Sequence, residues 1–179
     1  MKAKTALLII DVQVGLLELI PAQLRVESLA QIMRLLDQAR AIGAPVIYVQ
    51  HHGPKGHPLE PHTPGWEIDP TVRPAPGEPV ISKRASDSFF ESNLPQVLSR
   101  NEITHLVVTG GMTEFCVDTT CRRAITLGYD VTLVGDAHIT RDTKVLPASQ
   151  VIAHHNALLD GFGAGGHFVR VKPAAAITF

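Results

Sequence analysis

The segment Thr5–Ile10 constrains the fold more than any other part of the chain. Every residue from Ala6 to Ile10 is apolar, and the run stops on Asp11. A strand with one wet face alternates apolar and polar residues. A short, continuous apolar run reads instead as a strand buried on both faces. Such strands belong to parallel sheets sandwiched between helices, so the run alone favours an α/β architecture.

The rest of the chain repeats the theme. Residues 45–50, 80–82, 105–109, 131–134 and 168–171 read as five further strands. Leu29, Ile32, Met33, Leu36 and Ala39 recur at helical spacing before Gly43. Leu94–Arg100 reads as a short helix. Val117, Cys121, Ala124 and Ile125 mark a helical face that Gly128 ends. Ala148, Val151, Ile152, His155, Leu158 and Leu159 mark another before Gly161. Strands alternating with helices imply right-handed crossovers and a mainly parallel sheet covered on both sides. Gly163-Ala164-Gly165-Gly166 reads as a flexible connection into the last strand.

The chain has 179 residues. That is enough for a single domain, 1–179, to bury roughly 70% of its unfolded surface without a metal or disulfide staple. Its 16 Lys and Arg balance 17 Asp and Glu, a formal charge of −1. No basic excess points to nucleic acid, and no polybasic segment points to a membrane surface. The apolar runs fall far short of the ~20 residues that span a bilayer. No cleavable leader is evident, and two cysteines suit a reducing, cytoplasmic setting.

The irregular stretch is 51–79, which holds eight of the 13 prolines and four of the nine histidines. Long Pro-rich loops serve as lids, binding loops or interfaces, or simply as stiffened surface excursions. This one leaves the C-terminal end of a strand, where α/β proteins bind ligands.

Three polar residues lie at or near predicted strand ends: Asp11, Lys83 and Cys116. Parallel strands all end on one side of the sheet, so the three side chains can converge. A helix N-terminus and an ammonium both favour a thiolate. A carboxylate can accept the thiol proton and pass it on. Backbone N–H groups of a first helical turn can hold an oxyanion. Residue by residue, ordinary roles stay open: a turn-forming Asp, a solvated Lys, an inert buried Cys.

The segment Thr109-Gly110-Gly111-Met112-Thr113-Glu114-Phe115-Cys116-Val117 resembles the nucleophile segment of the isochorismatase-like cysteine hydrolases. That superfamily includes nicotinamidases, N-carbamoylsarcosine amidases and ureidoacrylate-type amidohydrolases. Leu7-Leu8-Ile9-Ile10-Asp11-Val12-Gln13 is similar to its opening strand and Asp-x-Gln. Lys83, with Phe89 and Leu94 downstream, resembles its lysine segment. Thr119, Ala124, Gly128-Tyr129, Val131 and Asp136-Ala137 resemble the stretch after the nucleophile.

The resemblance implies a three-layer α/β/α fold with a six-stranded, mostly parallel sheet. It implies Asp11 as general base and acid, Lys83 as stabiliser of thiolate and intermediate, and Cys116 as nucleophile. It implies a cis peptide at Gly111–Met112 and an oxyanion hole from the Met112 and Cys116 N–H groups. Gln13, His51, Phe89 and Phe115 are the expected substrate-binding residues. The implied activity is hydrolysis of an amide, imide or carbamoyl C–N bond in a small molecule, with homo-oligomerisation as a dimer or tetramer. Isochorismatase-type ether hydrolysis and a non-enzymatic thiol redox sensor are the alternatives.

Metal-binding nicotinamidases resemble Asp-x-His after the second strand, where this chain has Gln50-His51-His52. His52, His57 and His62 remain without that carboxylate; three His ligands would suit zinc, but the plainer reading is a His-rich loop whose imidazoles contact solvent or substrate, and no metal or other cofactor is expected. Asp87 stands where family members often carry Ser, and Leu16 where they carry an aromatic. Cys121 shares an apolar helical stripe and reads as core. His154-His155 reads as a core or interface pair, and Trp66 as a candidate pocket wall.

Overall fold

The structure is a computed structural model that describes residues 4–179. Its strands are β1 (Thr5–Ile10), β2 (Val46–His51), β3 (Val80–Lys83), β4 (His105–Gly111), β5 (Asp130–Ile139), β6 (Gly163–Ala164) and β7 (His167–Lys172). Its helices are α1 (Val14–Leu17), α2 (Ala22–Ala41), α3 (Leu94–Arg100), α4 (Asp118–Thr126) and α5 (Ala148–Leu159). The strands form one sheet in the order β3-β2-β1-β4-β5-β7-β6.

Successive side chains of a strand point to opposite faces, and β1 supplies both cores. Ala6, Leu8 and Ile10 join the cluster under α3 and α4, with Leu94, Leu98, Cys121 and Ile125. Leu7 and Ile9 join the opposite cluster, with Ile32, Leu35, Leu36 and Ala39 of α2. Two cores flanking one sheet make the three layers.

The six expected strands all pair in parallel, and the sheet gains a seventh. Gly163–Gly166 is not a flexible connection. Gly163 pairs with Phe168 and Ala164 with His167 in an antiparallel hairpin. Its two loop residues, Gly165 and Gly166, have φ of 60° and 89°. A tight two-residue hairpin needs positive φ at both positions, which glycine adopts without penalty.

The order of the sheet reverses at β1, with β2 on one side and β4 on the other. Ligands of open α/β sheets bind outside such a switch point, at the C-terminal strand ends. The two strands approach closely there. A Cβ on Gly110 would lie 2.0 Å from the Ile10 carbonyl oxygen, and Gly110 has φ of 109°.

The 51–79 stretch is a packed flap rather than a loose excursion. Leu59 and Val72 are buried in the core. Gln13 is fully buried and fastens the flap: its Nε2 donates to the carbonyls of His51 (3.0 Å) and Trp66 (2.8 Å), while its Oε1 accepts from His51 N–H (2.9 Å). The Val14 N–H donates to Glu67 and the Asp69 N–H to Val12. Gly15 lies so close that a Cβ there would be 2.6 Å from the Pro58 carbonyl oxygen.

Gly15→Ala therefore forces the flap outward. Overpacking of this kind costs about 1–3 kcal/mol. We expect a melting temperature several degrees lower by calorimetry; an unchanged value would show that the flap does not rest on α1.

Candidate active site

Asp11 follows β1 directly. Its φ is 50°, a left-handed conformation that short polar side chains tolerate better than most. Its N–H donates to Val49 and its carbonyl accepts from Gln13 N–H, which fixes the turn. Lys83 ends β3. The strand alternates exposed and buried residues, so Lys83 points inward on the same face as Ile81. Cys116 lies in the wide helical turn Thr113–Val117 between β4 and α4. Its neighbours Phe115 and Val117 both donate their N–H groups to the Met112 carbonyl, which closes the turn. The Gly111–Met112 peptide entering that turn is cis.

The three side chains meet. Lys83 Nζ is 2.6 Å from Asp11 Oδ2 and 3.0 Å from Cys116 Sγ. It also donates to the Ala85 carbonyl at 3.0 Å. The three ammonium protons thus have three acceptors. Asp11 and Lys83 are 1% and 2% exposed, and Asp11 Oδ1 makes no hydrogen bond among the described residues.

Burial and pairing oppose each other at every group. Burial raises the Asp11 carboxyl above the usual carboxylate range, with Lys83 pulling the other way. Burial alone would lower Lys83, but Asp11 and Cys116 together hold its ammonium above the usual lysine range. The Cys116 thiol is pushed up to about 12, first by burial and then by the Asp11 charge, against the pull of Lys83. The ammonium is present, but burial and the carboxylate outweigh it, and Cys116 rests protonated. Cys116 also sits ahead of α4, which begins at Asp118, rather than in that helix's first turn.

Asp11 and Cys116 line a cavity of about 370 Å³. Met112, Phe115 and His51 line it too, and Leu16, Leu19, Pro58 and Leu59 give it apolar walls. His51 is pushed down to about 4 by burial, Lys83 and the neighbouring His57 and His52, so its ring is uncharged at neutral pH. Phe115 is 46% exposed, unusual for a phenylalanine, and presents its ring at the cavity.

Two expected substrate-binding residues lie elsewhere. Gln13 is spent holding the flap. Phe89 is core, stacked on Tyr129 with ring centroids 5.8 Å apart. Trp66 packs between His52 and His62 rather than on the cavity. Cys121 is core, as its stripe suggested. Among the described residues, no three His, Cys, Asp or Glu side chains cluster as metal ligands. His57 Nδ1 instead accepts from the Leu59 N–H. No described helix is long and apolar enough to cross a membrane.

Sequence reasoning missed the lining residues Ser86 and Arg141, and singled out His57 only as one of the loop's histidines. Arg141 had a signal. It follows β5 by two residues, and β5 runs to Ile139 rather than stopping at Val134. Read to its true end, the strand places Arg141 by the same rule that singles out Asp11 and Lys83.

Comparison with known proteins agrees with this geometry. The isochorismatase-domain family model matches residues 5–160. A streptothricin hydrolase from Streptomyces noursei is 37% identical over 97% of this chain, which spans 64% of that protein's length. A ureidoacrylate amidohydrolase from Variovorax paradoxus is 39% identical over a shorter stretch, 41% of this chain and 30% of its own. An isochorismatase from Pseudomonas putida superposes with a TM-score of 0.86 at 35% identity, covering 98% of this chain and 90% of its own. The switch-point cavity, the buried Asp–Lys–Cys cluster and a family match over most of the chain lead to one conclusion: the chain belongs to the isochorismatase family.

Proposed function

We propose that the chain is a cysteine-dependent hydrolase that cleaves a C–N bond of a small molecule through a thioester on Cys116. The observation that carries this reading is Lys83 Nζ within hydrogen-bond reach of both Asp11 and Cys116 beside a small, largely apolar cavity. The amidohydrolase name of one relative and the hydrolase name of another support it.

The resting site holds a carboxylate, an ammonium and a thiol. An amide, imide or carbamoyl carbonyl enters above Cys116. Sγ forms a bond to the carbonyl carbon as its proton passes to Asp11. Lys83 keeps its proton and offsets negative charge as it moves from carboxylate to sulfur to carbonyl oxygen. The Met112 and Cys116 N–H groups hold that oxyanion. The C–N bond then breaks, and Asp11 gives its proton to the departing nitrogen. Water attacks the thioester with Asp11 again accepting a proton. The C–S bond breaks, the acid leaves, and Asp11 returns its proton to sulfur, which restores the thiol.

This cycle makes use of a raised thiol pKa. A thiol that ionises only when a carbonyl arrives discharges its proton onto the one group that later needs it. The same property weighs against a redox sensor, which works through a standing thiolate. The cysteine nucleophile also weighs against ether hydrolysis.

A panel of nicotinamide, N-carbamoyl compounds, ureidoacrylate and cyclic amides, read by ammonia or amine release, should yield one or more substrates. Cys116→Ala and Asp11→Asn should each lower turnover by about a thousandfold or more, as for other nucleophile–base pairs, with circular dichroism unchanged. Full activity in Cys116→Ala would end the covalent proposal.

Alkylation gives a second test, with a distinctive sign. Asp11 raises the Cys116 pKa, so removing its charge lowers it. Iodoacetamide should label Cys116 slowly in the native protein at pH 8 and faster in Asp11→Asn, although that variant has lost turnover. Equal or slower labelling in Asp11→Asn would contradict the proposed charge balance.

A further inference from the structure

One buried histidine has no part in this cycle. His138 lies on β5, beyond an irregularity in its pairing with β4. Between the Val108–Leu133 and Gly110–His138 pairs, β4 advances two residues and β5 advances five. The irregularity carries His138 in beneath the turn that bears Cys116. There it is 1% exposed, and its two ring nitrogens reach different elements. Nδ1 is 2.9 Å from Thr113 Oγ1, at the first residue of the turn. Nε2 is 2.8 Å from Asn156 Oδ1 on α5.

The direction of each bond follows from the far end. Asn156 Nδ2 donates to the Gly135 carbonyl at 2.9 Å, so its Oδ1 faces the histidine. An amide oxygen only accepts, so Nε2 carries the proton and donates. Burial pushes His138 down to about 4, which leaves Nδ1 with a lone pair. The Thr113 hydroxyl therefore donates to Nδ1. Three consecutive hydrogen bonds run one way from Thr113 through His138 and Asn156 to the Gly135 carbonyl.

We propose that His138 is a positioning residue which, through Thr113, fixes the turn carrying the nucleophile and the two oxyanion-binding N–H groups. The proposal rests on the hydrolase reading above. Thr113 is flanked by Met112 and stands three residues before Cys116, and it is itself 1% exposed. A shift of Thr113 moves the Met112 N–H relative to Sγ. The oxyanion exists only after attack, so such a shift acts on the chemical step more than on substrate binding.

The deciding variant is Thr113→Val, which keeps the shape and removes the donor. We expect kcat to fall by about 10- to 100-fold, the scale of a misplacement of about an ångström, with KM changed less than about threefold. Thr113→Ser, which restores the hydroxyl, should recover most of the loss. His138→Leu should lose as much as Thr113→Val, and the double variant no more than either, because one chain is broken once. Iodoacetamide labelling of Cys116 reads the same turn without substrate and should change by one common factor in all three. If His138→Leu does not fold, Thr113→Val and its serine rescue decide the question alone. Losses that multiply in the double variant would overturn the proposal. So would kcat and labelling within about twofold of native in Thr113→Val. Cys116→Ala run in parallel separates the two readings: retained turnover there refutes the hydrolase reading, whereas the labelling series still tests the relay.

Discussion

The site depends on burying one ammonium. Removing a charge of this size from water costs several kcal/mol unless acceptors replace the solvent. Lys83 is supplied with three: the Asp11 carboxylate, the Cys116 sulfur and the Ala85 carbonyl. Each comes from a different part of the chain, and each is held by the sheet or the segment leaving it. The ammonium can be buried only if β1, β3 and β4 end together, so a parallel sheet and the Asp–Lys–Cys cluster are one requirement. Removing either charge leaves the other stranded, and that ties stability to the same residues as the proposed chemistry.

The cluster also sets how the thiol behaves. Burial raises the thiol most and the Asp11 charge adds to it, against the pull of Lys83. In the proposed cycle, the base that raises the thiol's pKa is also the base that removes its proton. His51 is kept neutral nearby, so it adds no second positive charge to disturb this balance.

Much of this is legible in the sequence. An apolar run with no alternation announced β1 as buried on both faces, and the polar residues closing β1 and β3 announced Asp11 and Lys83. What stayed hidden has physical causes. Polar Gly135-Asp136 interrupts the apolar pattern of β5, so the strand read as ending at Val134, and His138 and Arg141 lost their context. Gln13 is singled out by its place in the Asp-x-Gln resemblance, which does not show what the side chain bonds to. Its three hydrogen bonds to backbone groups far along the chain have no local signature. Phe89 behaved as aromatic residues mostly do and entered the core. The resting state of Cys116 depends on a balance of burial against two charges, a quantity no motif encodes.

The attachment of the 51–79 flap has one more consequence. Gln13 and the close approach of Gly15 to Pro58 fasten that segment to the body of the fold through the chain's own contacts. Ordering a free loop at the moment of association consumes binding energy, about 1–2 kcal/mol for each backbone residue fixed. Here that ordering is completed during folding. Contacts that a ligand made with the lining residues Pro58, Leu59 and Phe115 would then count almost in full towards discrimination. A cavity built this way favours a narrow range of ligand shapes, because misfit cannot be absorbed by rearranging its wall.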